Sequence, residues 1–300
     1  MMSLLLLLVA ADPTQAVTPP APLSEEEVLA LGAEAGRMTV PVTIDRRGPW
    51  PFIIDTGAER TVVSRELAGL LGLAAGPPVR VIAMTGPARV GSVIVPNLAV
   101  STITRARTLA PALGARDLGA VGMLGIDALQ DHAVSIDFDR QRMTLKRAKK
   151  RNRRAAAAPG EIVVEARSLF GQLIVTQAFW RDVRVSVIID TGSAVSVGNS
   201  ALLAAIMQAP RLIGPMEMKS ATGETLKTTA FAIDRLHIGG VGFKWLTVAF
   251  SDVPPFERFG VGKTPALLLG MDALRLFKQV HIDFANREIR FAPPRDFLPG

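Results

Sequence analysis

The sequence predicts an all-β chain folded as two similar lobes with a cleft between them. Two observations carry that prediction. Residues 52–58 read Phe-Ile-Ile-Asp-Thr-Gly-Ala and residues 187–193 read Val-Ile-Ile-Asp-Thr-Gly-Ser, so one β-rich phrase ending in an Asp-Thr-Gly turn occurs twice. The same landmarks then recur in the same order. Asp190 lies 135 positions after Asp55, Gly223 137 after Gly86, Gly270 145 after Gly125, and Asp283 146 after Asp137. Slowly growing offsets in one order indicate an internal duplication with loop insertions. Two copies are too few to stack as a solenoid, which leaves a pseudo-two-fold pair.

Bulk properties fit this organisation. A chain of 300 residues is long enough for two lobes with cores of their own, and 49% hydrophobic residues makes it globular. The absence of Cys excludes a disulfide framework, a thiolate metal site and a Cys nucleophile. The net charge of +7 is local, because residues 146–154 hold seven basic residues and no acid. Without that run the chain is balanced, so no nucleic-acid partner is expected. His132, His237 and His281 lack metal-ligand spacing, and no metal or other cofactor is expected.

Read in order, residues 1–16 carry an apolar run from Leu4 to Ala11 that fits the h-region of a signal peptide, with small residues near Ala11 or Ala16 for cleavage. The run is too short to span a bilayer as a helix. The n-region has no Lys or Arg, so a frayed hydrophobic N-terminus is the competing reading. The expectation is a periplasmic or secreted protein without a stable membrane span. Residues 17–36 form a leader arm in which Ser24 and Glu27 make a capping box, predicting a short acidic helix or a loose segment.

The N-terminal lobe is expected over 37–145. Met38, Val40, Val42 and Ile44 alternate with polar residues and predict a strand; 46–49 turn the chain, and 50–54 return it to Asp55. Ser64 should cap a helix bearing Leu67, Leu70 and Leu71. Residues 79–100 read as a hairpin with Thr85-Gly86 at its tip, 114–119 as loop, and Met123-Leu124-Gly125 as a buried apolar segment. A strand pair over 133–138 and 142–145 closes the lobe. The basic stretch 146–160 is a linker, either a helical extension or a flexible tether.

The C-terminal lobe, 161–294, repeats this plan. Residues 172–179 and 183–189 make the opening hairpin before Asp190. Asn199 or Ser200 caps a helix with Leu203, Ile206 and Met207, and residues 216–221 and 226–233 flank Thr222-Gly223. Leu268-Leu269-Gly270 precedes Asp272, and strands at 280–284 and 288–291 finish the lobe. Asp127 and Asp272 are expected to cap the short helices that follow, and Glu59 and Arg60 to lie at the surface or pair locally.

Chemistry enters through the duplicated aspartate. A pseudo-dyad would bring Asp55 and Asp190 together, and two adjacent carboxyls cannot both ionise cheaply. One keeps a proton, so the pair holds a general acid and a general base at once and can activate a water between them. Thr56 and Thr191 can hydrogen-bond across the axis, and Gly57 and Gly192 keep the floor of the cleft open. The sequence from 194 to 198 is a near miss to a nucleophile elbow around Ser196, with Ala in place of the first Gly and no partner His evident.

Those residues carry a resemblance. The chain resembles the aspartic proteases of the pepsin and retroviral superfamily, especially two-lobed bacterial members with retropepsin-like halves. Residues 54–58 and 189–193 match the active-site loops, 123–125 and 268–270 match the hydrophobic-hydrophobic-Gly segment behind each loop, and the resemblance covers about 38–292. It implies the bilobal acid-protease fold and a peptide or protein substrate cleaved by an Asp55/Asp190-activated water. It also implies hairpin flaps at Thr85, Gly86, Thr222 and Gly223, and a monomer that needs no second chain. Pepsin's flap Tyr is missing, since the chain has no Tyr. Ala58 stands where Ser193 stands in the second loop, so Ser193 is expected to donate to Asp190 and leave the shared proton on Asp55. A non-catalytic protein gripping a peptide or cell-wall fragment on the same scaffold is the alternative.

Overall fold

A computed structural model describes residues 26–30, 32–34, 36–101, 103–151, 156–206 and 210–293. The signal-peptide reading of residues 1–16, the Ser24 cap and Met207 lie outside the described residues. Strands dominate: a 10-stranded sheet builds the N-terminal half, and a 15-stranded sheet runs from the interface between the halves through the C-terminal half.

Each half has a hairpin whose second strand ends at an aspartate. Arg37–Ile44 pairs antiparallel with Arg47–Ile54, and Gln172–Trp180 with Val183–Ile189. The alternation read in the sequence is visible in burial, since Met38, Val40, Val42 and Ile44 are all buried. Each such side chain contributes about 1.5–3 kcal/mol when fully removed from water. A second short strand follows each aspartate and leads into a helix, Arg65–Leu71 or Ser200–Ile206. Ser64 caps the first, accepting from the Leu67 N–H at 3.0 Å. Asn199 caps the second through its side-chain oxygen, accepting from the Leu202 N–H at 2.9 Å. That helix buries Leu202 and Ile206, one position away from the apolar face expected at Leu203.

The long hairpins are Ala74–Ala83 with Gly86–Val95, and Arg211–Lys219 with Thr225–Ile233. The first starts before the predicted position 79, and its register shifts between Gly76 and Val79, where two prolines interrupt the ladder. Strands that the sequence did not announce fill the sheets between landmarks: Thr108–Leu113, Ile162–Leu169 and Leu246–Phe250. Thr108–Leu113 carries Pro111 and two alanines, a poor strand by propensity, yet it pairs with Gly86–Val95 and with Val62–Ser64.

One expectation is overturned in the arm before the first lobe. Glu26–Ala30 is a strand paired with Arg142–Arg147, and Gly32–Glu34 pairs with Arg37–Ile44. So short an acidic segment cannot sustain a helix alone, while a sheet edge offers it a full set of backbone partners.

The halves meet in a shared sheet. His132–Asp137 pairs antiparallel with Gln279–Asp283, and Ser135 sits opposite His281. These two residues are 146 positions apart, the same offset that separates Asp137 from Asp283. The pseudo-two-fold axis therefore passes between them, and Ser135 Oγ lies 2.5 Å from His281 Nδ1. The basic stretch is tied down next to this sheet: Arg151 pairs with Asp283 at 2.8 Å and with Glu288 at 3.4 Å. No helix among the described residues is long and apolar enough to cross a membrane.

Candidate active site

Each aspartate is delivered by a parallel ladder. Gly122–Leu124 runs beside Phe52–Ile54, and the Asp55 N–H donates to Leu124 O at 2.9 Å. Ala266–Leu269 runs beside Ser186–Ile189, and the Asp190 N–H donates to Leu269 O at 3.0 Å. These strands are the two hydrophobic-hydrophobic-Gly segments singled out in the sequence. Their neighbours are fully buried, so the ends of both strands are fixed by the cores.

The structure brings the two Asp-Thr-Gly turns face to face. Thr56 Oγ1 donates to Ile189 O at 2.7 Å, and Thr191 Oγ1 donates to Ile54 O at 2.8 Å. The Thr56 N–H donates to Thr191 Oγ1, and the Thr191 N–H to Thr56 Oγ1, both at 3.1 Å. Both threonines are buried, at 2% and 1% exposure, so each hydroxyl needs these partners. The reciprocal set locks the loops across the axis.

The carboxylates are held from their own loops. Asp55 Oδ1 accepts from the N–H groups of Gly57 at 2.7 Å and Ala58 at 2.9 Å. Asp190 Oδ1 accepts from Gly192 at 3.0 Å and Ser193 at 3.1 Å. Each carboxyl also lies against the opposite glycine. A Cβ on Gly192 would stand 2.1 Å from Asp55 Cγ, and one on Gly57 would stand 2.7 Å from Asp190 Cγ. No side chain fits at either position, which is the physical reason both turns need glycine.

Burial pushes both carboxyls above the usual carboxylate range. For Asp190 the charge of Asp55 adds to that rise. For Asp55 the loop N–H groups, the Arg37 guanidinium and the hydrogen bond from Asp190 pull the other way. The loop N–H groups of Gly192 and Ser193 lower Asp190 in the same way, so the Arg37 charge is what sets Asp55 apart. The placement of the proton expected from the sequence rested on a hydrogen bond from the Ser193 hydroxyl to Asp190. Ser193 Oγ does not reach the carboxylate; it donates to Val195 O at 2.7 Å, and only the Ser193 N–H serves Asp190.

A polar layer supports each loop from behind. Asp127 Oδ1 accepts from the Thr61 N–H at 2.8 Å and Oγ1 at 2.7 Å, and Asp272 accepts from the Ser196 N–H at 3.1 Å and Oγ at 2.7 Å. The helix caps expected of these aspartates are instead Gly125 and Gly270, and the carboxylates brace the strand after each loop. Thr61 and Ser196 in turn accept from the N–H groups of Gly125 and Gly270. Ser196 is thus fully buried and committed to structure, not a nucleophile. Glu59 pairs across the lobes with Arg258, whose guanidinium lies 4.1 Å above the Phe170 ring.

The hairpin tips of the two halves also meet each other. Thr85 Oγ1 donates to Glu224 Oε2 at 3.1 Å, and Thr222 donates to the same carboxylate. Each tip packs on the opposite lobe. Met84 lies against a buried cluster with Ile188 and Leu268, and Ala221 against one with Ile53 and Met123. Lys219 ties the second hairpin to Asp117 of the first lobe at 2.8 Å, and Gly223 lies close to the same carboxylate. Glu224, Lys219 and Asp117 gave no signal in the sequence, because their meaning depends on a contact between halves.

Fold and site together define a two-lobed all-β protein with one Asp-Thr-Gly turn from each lobe at a common axis. Residues 40–131 match the model of the gag-polyprotein aspartyl protease family, and residues 176–273 match that of the aspartyl protease family. The chain belongs to the retropepsin-like aspartyl proteases and carries two such domains in succession. No curated protein matches the chain.

Proposed function

We propose that the protein is an aspartic endopeptidase whose catalytic residues are Asp55 and Asp190. The observation that carries this reading is the pair of Asp-Thr-Gly turns locked together by reciprocal threonine hydrogen bonds, with each carboxyl set against the glycine of the other loop. Asp55, ionised, takes a proton from a water held between the two. Asp190, protonated, donates to the carbonyl oxygen of the peptide as the water attacks. The resulting diol collapses with cleavage of the C–N bond: one diol hydroxyl returns its proton to Asp190 as the proton on Asp55 passes to the leaving nitrogen. No covalent intermediate is required. Thr85, Gly86, Thr222 and Gly223 stand at the hairpin tips, where main-chain groups can pair with an extended peptide as an added strand does.

Both halves of the dyad come from one chain, so a monomer suffices for turnover in this reading. The test is cleavage of a mixed peptide library by the wild type and by Asp55→Asn and Asp190→Asn. An endopeptidase loses turnover in both variants and keeps peptide affinity. A wild type that binds peptides without cutting them would make the chain a binding protein on this scaffold.

A further inference from the structure

The two loops are not equivalent, and the difference lies outside the Asp-Thr-Gly turns. Arg37 and Gln172 each precede their aspartate by 18 positions, and each opens the hairpin whose second strand ends at that aspartate. Each reaches across the axis to the carbonyl oxygen of the opposite glycine. Arg37 Nη1 donates to Gly192 O at 3.4 Å, and Gln172 Nε2 donates to Gly57 O at 3.1 Å. Arg37 makes a further hydrogen bond to Leu118 O, while Gln172 Oε1 is buried with no partner among the described residues. One structural position therefore holds a cation in the first half and a neutral amide in the second.

We propose that Arg37 is a positioning residue that breaks the symmetry of the dyad, fixing the ionised carboxylate on Asp55 and the proton on Asp190. The two hydrogen bonds to glycine carbonyls are alike, so what distinguishes the positions is the charge. Other charged groups near the loops are engaged or exposed: Glu59 pairs with Arg258, Asp127 with Thr61 and Asp272 with Ser196, and Arg60 is exposed. The half-buried guanidinium is attracted by both Asp55 and Asp190, and its charge favours ionised Asp55. A positive charge stabilises the singly ionised pair over the neutral one, so it lets the pair keep a base at lower pH.

This inference rests on the peptidase reading only for its kinetic arm. The experiment is a carboxyl-carbon NMR titration of [13C]aspartate-labelled protein, with kcat/KM against pH measured in parallel. The proteins are the wild type, Arg37→Gln, Arg37→Lys, and the exchange Arg37→Gln with Gln172→Arg. In the wild type Asp55 should ionise before Asp190. Arg37→Gln should make the two carbons titrate alike and move the acid limb up by about one pH unit. Arg37→Lys should keep the wild-type order, and the exchange should reverse it. A wild type in which Asp190 ionises first, or an exchange variant that keeps the wild-type order, overturns the proposal. Ordered titration without peptide cleavage sinks the peptidase reading and leaves Arg37's role standing.

Discussion

At the scale of single residues, the site is limited by space and by paired protons. Gly192 has no room for a methyl group, since a Cβ there would fall 2.1 Å from Asp55 Cγ. Gly192→Ala should therefore displace the carboxyl and remove activity even if the lobes stay folded; circular dichroism beside a cleavage assay checks this. The threonines are a milder case. Thr191→Val keeps the shape and removes a hydroxyl that donates to Ile54 O at 2.8 Å and accepts from the Thr56 N–H at 3.1 Å. Leaving those buried partners unmet should cost about 1–3 kcal/mol in urea unfolding. Residue by residue, the dyad was legible because Asp-Thr-Gly is local and repeated. The role of Ser193 was not, because a hydroxyl next to a carboxylate has several acceptors. Here the Val195 carbonyl takes it. Arg37 and Gln172 left one usable signal, their equal distance from the aspartates.

At the scale of elements, the two long hairpins act as a closed pair. Their tips share Glu224, and Lys219 bridges to Asp117 on the opposite lobe. Both contacts are solvent-exposed, so they hold a geometry more than they add stability. Lys219→Met should speed opening and raise amide exchange at 211–233 without lowering the melting temperature. Hydrogen exchange by mass spectrometry reads this, and unchanged exchange would show that the apolar contacts of Met84 and Ala221 close the cleft alone. The hairpins were legible from alternation and a Thr-Gly tip. Strands such as Thr108–Leu113 were not, because proline and alanine carry no strand signal and only their neighbours in the sheet make them strands. The arm at Glu26–Ala30 failed for the same reason: a capping pattern is local, whereas a free sheet edge is a tertiary fact.

At the scale of the molecule, a duplicated chain closes on its own axis twice. One crossing lies between Ser135 and His281 in the shared sheet, the other between the Asp-Thr-Gly turns. The growing offsets in the sequence foretold this arrangement, and the loops that lengthen them sit outside both crossings. The closure has an electrostatic consequence. Asp55 and Asp190 have folded-state pKa values raised above those of the unfolded chain. Raised carboxyls favour the fold below the ordinary carboxylate range, and that contribution is lost as pH rises through the folded values. The protein should thus lose stability from weakly acid towards alkaline pH. Asp190→Asn, which cannot ionise, should flatten that decline. The expected scale is about 1.4 kcal/mol for each pH unit that separates folded from unfolded titration. Urea unfolding at pH 5 and pH 8.5 checks it; equal slopes for both proteins would contradict the buried, coupled pair.

In the proposed reaction two aspartates, one from each half, act together on a water. The most direct measurement is cleavage of a peptide library across pH by the wild type, Asp55→Asn and Asp190→Asn. The wild type should give a bell-shaped profile, with both limbs above those of ordinary carboxylates. Each variant should lose roughly 10²–10⁴-fold or more in turnover, with peptide binding retained. Turnover that survives either substitution, or a wild type that cuts no peptide at any pH, would contradict this reaction.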